Sequence, residues 1–212
     1  MTEFLSIMFM PFLACLVLTG IHSYLGLHVI ERQVIFVDLA LAQIAVLGSS
    51  IAILFGHAVD SSYGYVISLI FTLVGAGLFA LTRFKKQKIP HEAIIGIVYV
   101  VSAALMLIIL SFSGEGTEHI RQSLVGNILL VSPTEVLKVF LIYSAVGFIH
   151  FLFRKQFYLI STNPEQAFQH GVNVRGWDFL FYATFGVVVT SSAKIAGVLL
   201  VFSFLVISAV CA

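Results

Sequence analysis

The chain contains 212 residues, of which 60% are hydrophobic and only 10% are charged, and its mean hydropathy is +1.08. Because an ordinary soluble domain carries about 25% charged residues, this composition indicates an integral membrane protein. The net charge of +1 gives no sign of a nucleic-acid surface. Cys15 and Cys211 lie far apart in apolar stretches, so the cysteines indicate neither a disulfide framework nor a zinc site.

Apolar stretches long enough to cross a bilayer, which takes about 20 residues, follow one another along the chain. They lie near residues 4–26, 34–56, 62–82, 91–112 and 135–153. A further stretch, 177–212, is too long for one straight span, and TSSAK at 190–194 predicts a turn that divides it in two. We therefore predict an all-α polytopic membrane protein with about seven transmembrane helices, forming one transmembrane domain over residues 1–212.

The basic residues predict how the spans are oriented, because Lys and Arg concentrate in cytoplasmic loops. Eight of the eleven lie in the first, third and fifth loops, and the other three lie on the opposite side. The odd-numbered loops are therefore predicted to be cytoplasmic and the N-terminus to lie outside. The eight residues are Arg32, Arg83, Lys85, Lys86, Lys88, Arg154, Lys155 and Arg175.

The fifth loop contains the signals of a short helix. Asn163 is a good N-cap, Pro164 fits the first helical position, Glu165 suits the positive end of the helix dipole, and Gly171 is a natural stop. A helix of about two turns is predicted here. By its periodicity alone, it could lie at the lipid interface or serve as a docking element.

Five stretches carry a resemblance to a known family. In order along the chain, they are VIFVDLALAQIAVLG, AIIGIVYVVSAAL, LVGNILLVSPTEVL, NPEQAFQHGV and KIAGVLLVFSFLVISA. Together they resemble the permease subunit of the zinc/manganese/iron class of ABC importers. The resemblance covers nearly the whole chain, and NPEQAFQHGV followed by AGVLLVFSFL is its most specific part.

The resemblance implies a multi-pass permease of the bacterial plasma membrane that transports a divalent metal ion and holds no permanent cofactor. It implies four partners: a separate ABC ATPase, an extracytoplasmic metal-binding protein, a second permease copy and the lipid bilayer, with no nucleic acid. ATP would act only through the ATPase, since the chain has no G-x-x-x-x-G-K-[ST] loop. The helix at 164–171 would be the coupling helix, formed by Asn163, Pro164, Glu165, Ala167, Phe168 and Gly171.

Asp38 is a carboxylate well inside a predicted span. Relatives of this class commonly carry a His four residues after this Asp, and that spacing puts both side chains on one helix face for a metal ion. This sequence departs from the pattern, because position 42 is Ala and Gln43 lies about 140° around the helix from Asp38. The Asp38 face instead carries Ala42 and Ala45, small residues that let another helix approach.

Two interpretations of Asp38 are open. In the functional one, Asp38 faces the transport pathway and meets a ligand from another span, with His22 of the first span as the candidate. In the structural one, Asp38 caps the start of its helix or pairs with Arg32. His22 itself could be a metal ligand or a packed core histidine.

A polar segment at residues 114–134 separates the fourth and fifth spans and is predicted to form a short helix or a partly re-entrant hairpin. Within it, Glu118 and His119 lie on the predicted outer side. They could receive incoming metal, or they could simply be solvated. The metal stays open among Zn²⁺, Mn²⁺ and Fe²⁺, because these ligand types suit all three.

Family permeases usually continue beyond AGVLLVFSFL, whereas this chain stops at Ala212 in apolar sequence. We therefore expect either a C-terminally truncated product or a short natural member. An alternative function is an ion-coupled secondary transporter, and a truncated, non-transporting membrane subunit is another. An intramembrane metalloprotease is disfavoured, since the sequence has no H-E-x-x-H.

Overall fold

The fold is built from helices alone in the part of the chain that the structure describes. The computed structural model describes residues 2–57, 61–83, 89–112 and 116–211, and the side chains of these ranges except those of 2–6 and 116–120. The long helices are α1 (Thr2–Glu31), α2 (Val37–Leu54), α3 (Ser62–Leu81), α4 (His91–Ser111), α6 (Pro133–Leu152) and α9 (Val174–Ala196). The shorter ones are α5 (Gly116–Val125), α7 (Arg154–Thr162), α8 (Pro164–Gln169) and α10 (Val198–Cys211), with a 3₁₀ turn at Ile128–Leu130.

Six of the described helices are long and apolar enough to cross a membrane: α1, α2, α3, α4, α6 and α9. The predicted class, an all-α polytopic protein, is therefore confirmed. The seventh apolar helix, α10, has 14 residues, which at 1.5 Å per residue reach about 21 Å, short of a hydrocarbon core of about 30 Å. The predicted seven spans thus correspond to six full spans and one shorter helix.

The last turn lies at Gly197 rather than at TSSAK. The α9 helix continues through these residues because its hydroxyls are satisfied within the helix: Ser191 donates to the Val187 carbonyl and Ser192 to the Val188 carbonyl. The helix ends at Gly197, whose φ of +75° suits glycine. A Cβ there would lie 2.4 Å from the Gly126 nitrogen, so this glycine also permits close backbone contact with the chain after α5.

Of the predicted segment 114–134, residues Gly116–Val125 form a short helix, α5, which is one of the two predicted alternatives. After α5, the backbone N–H of Asn127 donates to the Ile195 carbonyl over 3.0 Å, which fixes this connection against the end of α9. The next span, α6, begins with a capping box: Ser132 caps the Glu135 N–H, and the Glu135 carboxylate accepts from the Ser132 N–H. Local sequence therefore sets where α6 begins.

The spans α2 and α9 form the buried centre of the bundle, whereas α4 and α6 expose most of their surface. Glycines let the central helices approach closely: a Cβ on Gly186 of α9 would lie 2.4 Å from Thr72 of α3, and one on Gly75 would lie 2.5 Å from Ile44 of α2. Ala42 and Ala45, predicted to permit such an approach, are buried at 1% and 4% exposure. Asp38 therefore lies on one of the two most enclosed spans among the described helices.

Two ends of the bundle are distinguished below. At the arginine end, α1 and α3 finish and α9 begins, and Arg32 and Arg83 both contact Asp178 of α9. At the opposite end, α2 finishes, α3 begins and α5 lies across the end of α9. This arrangement agrees with the prediction that the first and third loops share one side of the membrane.

Candidate functional site

Asp38 lies in the first turn of α2 and is fully buried. Neither of its carboxylate oxygens has a hydrogen-bond partner among the described residues. An ionised side chain buried in a span is costly: the cost is about 2.5–3.5 kcal/mol on insertion scales at the centre of a helix, and Asp38 lies nearer to the start of α2. Side chains that carry such a cost mark ion or substrate pathways in membrane proteins.

The structure gives Asp38 neither of the contacts that its structural interpretation requires. Its side chain makes no cap bond at the start of α2. Arg32, the expected partner, instead binds Asp178, with 2.5 Å between Arg32 Nη1 and Asp178 Oδ1. Asp38 is therefore buried without a hydrogen-bonded partner, and its compensation is limited to its place in the first turn of α2, at the positive end of the helix dipole.

His22 lies in α1 and is fully buried, but its partners are not Asp38. Its Nδ1 contacts the Leu18 carbonyl at 2.7 Å, and its Nε2 lies 3.3 Å from the Ser192 hydroxyl. The Tyr143 hydroxyl lies 2.5 Å from the same Ser192 oxygen. His22 thus joins α1, α6 and α9. Among the described residues, no group of three or more His, Cys, Asp or Glu side chains could hold a metal ion.

A recess lined by both polar and apolar residues opens at the opposite end of the bundle, between α2, α3, α5 and α9. Its volume is about 100 Å³, enough for several water molecules. We call it the outer recess, because it lies at the end of the bundle that the distribution of basic residues predicts to be extracytoplasmic. It is lined by Ala45, Ser49, Tyr65, Ser68, Gln122, Ser123, Thr190 and Lys194, among others.

The Asp38 face of α2 continues into the outer recess. Positions 38, 42, 45 and 49 follow one another at helical spacing, so they lie on one face, and Ala45 and Ser49 line the recess. Beside this face, the Thr72 and Thr190 hydroxyls lie 3.1 Å apart and join α3 to α9. A line of helix positions thus leads from the recess toward Asp38.

Glu118 and His119 lie on α5, and their side chains fall outside the described part of the structure. Helix register places positions 118 and 119 one turn before positions 122 and 123. Gln122 and Ser123 line the outer recess. The predicted metal-receiving pair therefore lies on the helix that borders this recess.

The short helix in the fifth loop forms with the predicted N-cap and stop. The Gln166 N–H donates to the Asn163 side chain over 3.2 Å, Pro164 occupies the first position, and Gly171 has a φ of +69°. Ala167 is fully buried and holds α8 against Ile160 of α7 and Val174 of α9. The remaining surface is polar and open: Glu165, Gln166, Gln169 and His170 are exposed, and Phe168 is half-buried.

The family model described as the ABC 3 transport family matches residues 4–212. The chain belongs to this family. Among curated relatives, the "Manganese transport system membrane protein MntC" of Listeria innocua is 27% identical over 159 residues, covering 71% of this chain and 56% of that protein. The "Probable metal transport system membrane protein" of Treponema pallidum is 28% identical over 198 residues, covering 92% and 71%.

A solved structure supports the fold of this ABC 3 family member. PsaBC from Streptococcus pneumoniae, solved in complex with Fab, contains a chain that matches 94% of this one with a TM-score of 0.73 and 19% identity, over 70% of its own length. The present chain spans 56% of the length of its Listeria innocua relative. Family, fold and a multi-pass location in the cell membrane follow from these matches and from the apolar spans.

Sequence reasoning about this ABC 3 family member missed one important residue. Asp178 of α9 is as fully buried as Asp38, but it lies only one residue inside the predicted span, and no role was assigned to it from the sequence. Its two arginine partners are 146 and 95 positions away along the chain. The unusual density of Arg at the arginine end was the only signal in the sequence that a buried carboxylate was needed there.

Proposed function

We propose that the chain is the membrane-spanning permease subunit of an ABC importer for a divalent metal ion, driven by a separate ATPase. One observation carries the proposal: a fully buried carboxylate, Asp38, lacks any partner among the described residues. A divalent cation would supply the missing counter-charge. Membership of the ABC 3 transport family supports the class of transporter.

The route of the ion is proposed from the outer recess inward. Metal delivered by an extracytoplasmic binding protein would meet α5, where Glu118 and His119 are the proposed first contacts. It would then pass Ser49 and Ala45 on α2 and reach Asp38 between helices that are now closely packed. His22 stays a weaker candidate ligand, because its Nε2 points to Ser192 at 3.3 Å.

Mn²⁺ and Fe²⁺ are proposed ahead of Zn²⁺ as the cargo. The donors that the described site offers are the Asp38 carboxylate and, in the recess, the hydroxyls of Ser49, Ser68 and Thr190. Oxygen ligands of this kind suit Mn²⁺, whereas imidazole and thiolate favour Zn²⁺. The Listeria innocua relative named for manganese transport supports this order, as does a Haemophilus influenzae relative, 24% identical over 187 residues, named "Probable iron transport system membrane protein".

The α8 helix is proposed as the docking site of the ATPase. It is short, capped at both ends and fixed through buried Ala167, so it presents Glu165, Gln166 and Gln169 on a rigid element. A second permease copy, with its own α8, would complete the transporter. Glu165→Lys or Gly171→Pro should abolish co-purification of the ATPase while the permease stays in the membrane. Unchanged co-purification would contradict the docking role.

The proposed function is tested by the cellular content of Zn, Mn and Fe, measured by elemental mass spectrometry. Cells lacking their own metal uptake would express the chain with its ATPase and binding protein. A matched control would carry an ATPase whose phosphate-loop Lys is replaced. We expect one metal to accumulate only with the active ATPase. Accumulation with both ATPases would favour the ion-coupled alternative, and accumulation with neither would count against transport.

Orientation is tested by single cysteines in a background that lacks Cys15 and Cys211. Lys86→Cys and Gly116→Cys should react with an impermeant thiol reagent from opposite sides of the membrane. Labelling of both from the same side would contradict the proposed topology.

A further inference from the structure

A buried polar cluster lies at the arginine end of the bundle and shares no residue with the proposed metal route. We call Arg32, Arg83, Asp178 and Ser161 the arginine–aspartate cluster. Asp178 is fully buried, with its Oδ1 at 2.5 Å from Arg32 Nη1 and its Oδ2 at 3.3 Å from Arg83 Nε. Arg32 Nε also donates to the Ser161 hydroxyl over 2.9 Å. The cluster is thus a connected set of charge-assisted contacts.

Each member of the cluster lies in, or just after, a different helix. Arg32 directly follows α1, Arg83 lies just beyond α3, and Asp178 is in the first turns of α9. Ser161 is in the last turn of α7, two positions before Asn163, the N-cap of α8. The cluster therefore joins the start of the proposed docking helix to three spans.

Two further contacts strengthen the attachment of α7. The His28 ring of α1 contacts the Ser161 hydroxyl at 2.8 Å through Nδ1. The Ile160 carbonyl, one residue earlier in α7, lies 3.5 Å from Arg83 Nη2. The α7 segment is thus bound to α1 by two side chains and to the end of α3 by one. Its attachment does not depend on apolar packing alone.

The chemistry of these contacts makes the attachment of α7 to α1, α3 and α9 rigid. Apolar surfaces can slide past each other with little loss, whereas Arg32 holds Asp178 Oδ1 and the Ser161 hydroxyl through directional hydrogen bonds. Arg83 adds charge attraction, with 3.3 Å between its Nε and Asp178 Oδ2. The three charged side chains are at most 8% exposed, so water cannot replace a broken contact at low cost. A displacement of α7 and α8 would therefore carry the ends of α1, α3 and α9 with it.

Two of the spans joined by the cluster, α3 and α9, pack against α2, the helix that carries Asp38. The α2 helix packs against both α3 and α9, through Gly75 against Ile44 and through Gly186 close to Leu41. Asp38 lies one turn before Leu41 on α2. Movement of α3 and α9 relative to α2 would thus change the packing around Asp38.

We infer that the arginine–aspartate cluster transmits the displacement of α8 to α3 and α9, which pack against the helix that carries Asp38, with Asp178 as its central positioning residue. The inference rests on the proposed function in one respect, namely that a separate ATPase moves α8. It adds the path by which this movement reaches the metal route. It also predicts that weakening the cluster lowers transport and leaves ATPase docking unchanged.

The test uses two mild variants in the complete transporter with its ATPase. Ser161→Ala removes the contacts of Arg32 and His28 with α7 but changes no charge. Arg83→Lys keeps the charge but loses the fork that reaches both Asp178 and Ile160. The matched controls are Ser111→Ala and Arg154→Lys, which make the same changes at exposed positions outside the cluster.

Three quantities are measured for each variant. The first is ATPase co-purification with the permease. The other two, ATP hydrolysis and Mn²⁺ taken up per ATP, are measured after reconstitution in proteoliposomes. We expect both cluster variants to retain the ATPase and to take up at least about fivefold less Mn²⁺ per ATP, while both controls match the unaltered chain. Unaltered uptake per ATP in both cluster variants would overturn the inference. Loss of ATPase binding in parallel with uptake would also overturn it, because the cluster would then only place α8.

A second readout does not depend on the metal. With Cys15 and Cys211 replaced, Ala45→Cys in the outer recess is labelled with N-ethylmaleimide before and after trapping with ATP and vanadate. Trapping should change the labelling rate in the unaltered cluster and leave it nearly constant in Ser161→Ala. An equal change in both would overturn the coupling. Absence of Mn²⁺ uptake in the unaltered chain would instead count against the proposed cargo.

Discussion

Two carboxylates at the same end of the bundle are equally buried but differ in their partners. Asp38 in the first turn of α2 and Asp178 near the start of α9 are both fully buried. Asp178 is held by two arginines, whereas Asp38 has no hydrogen-bond partner among the described residues. A buried carboxylate with its counter-charge in the protein serves the fold, and one without it is suited to a cation from outside.

The two carboxylates should therefore respond in opposite ways when neutralised, and the largest effect is expected at Asp178. Asp178→Asn leaves Arg32 and Arg83 buried without a counter-charge, which should cost about 3–5 kcal/mol of stability. Asp38→Asn removes an uncompensated charge and should leave stability equal or higher. The measurement is the thermal unfolding midpoint of each purified variant in detergent.

A double variant sharpens this test. Arg83→Gln combined with Asp178→Asn restores the charge balance, since Arg32 then keeps the single positive charge that the intact cluster has. It should recover part of the stability lost in Asp178→Asn alone. If Asp178→Asn is as stable as the unaltered chain, the two carboxylates do not differ in the way proposed here.

A second prediction gives Asp38 a neighbouring ligand. Ala42→His places an imidazole one turn from Asp38 on the same helix face, and imidazole favours Zn²⁺ relative to oxygen ligands. The ratio of Zn²⁺ to Mn²⁺ uptake should rise by on the order of tenfold. Because position 42 is only 1% exposed, Ala42→Leu controls for the added volume. An equal ratio in both variants would mean that Asp38 does not contact the ion.

The smallest effect is expected where neither carboxylate is touched. Asn163→Ala removes the cap of α8 and should cost about 1 kcal/mol locally. This corresponds to about fivefold weaker binding of the ATPase, with no change in the thermal midpoint of the bundle. Asn127→Ala is the matched control outside α8. ATPase binding is measured by titration. Equal affinity in Asn163→Ala and the unaltered chain would show that the cap does not matter for docking.

Local features of the fold could be predicted from sequence because their signals are local. The spans follow from runs of apolar residues, and α8 follows from Asn163, Pro164 and Gly171, all within nine positions of one another. The turn predicted at 190–194 was wrong, because Ser191 and Ser192 bond to carbonyls one turn earlier and need no turn. Gly197 became the boundary through its contact with Gly126, which no local pattern reveals.

The partners of buried charges could not be predicted in the same way. Arg32 is six positions from Asp38 and 146 from Asp178, yet it binds Asp178. Which carboxylate it meets depends on how α1 and α9 pack, and a single sequence does not contain that packing. For the same reason, His22 was a reasonable ligand for Asp38 by sequence, but it lies against Ser192 and Tyr143.

The central claim is that Asp38 contacts the transported ion. It is tested most directly by the cellular content of Mn, Fe and Zn in uptake-deficient cells that express the transporter with Asp38→Asn, at matched protein levels in the membrane. Glu31→Gln, which neutralises an exposed carboxylate on α1, is the control. We predict that Asp38→Asn falls to the background of cells without the permease while Glu31→Gln accumulates metal like the unaltered chain. Normal accumulation in Asp38→Asn would contradict the claim.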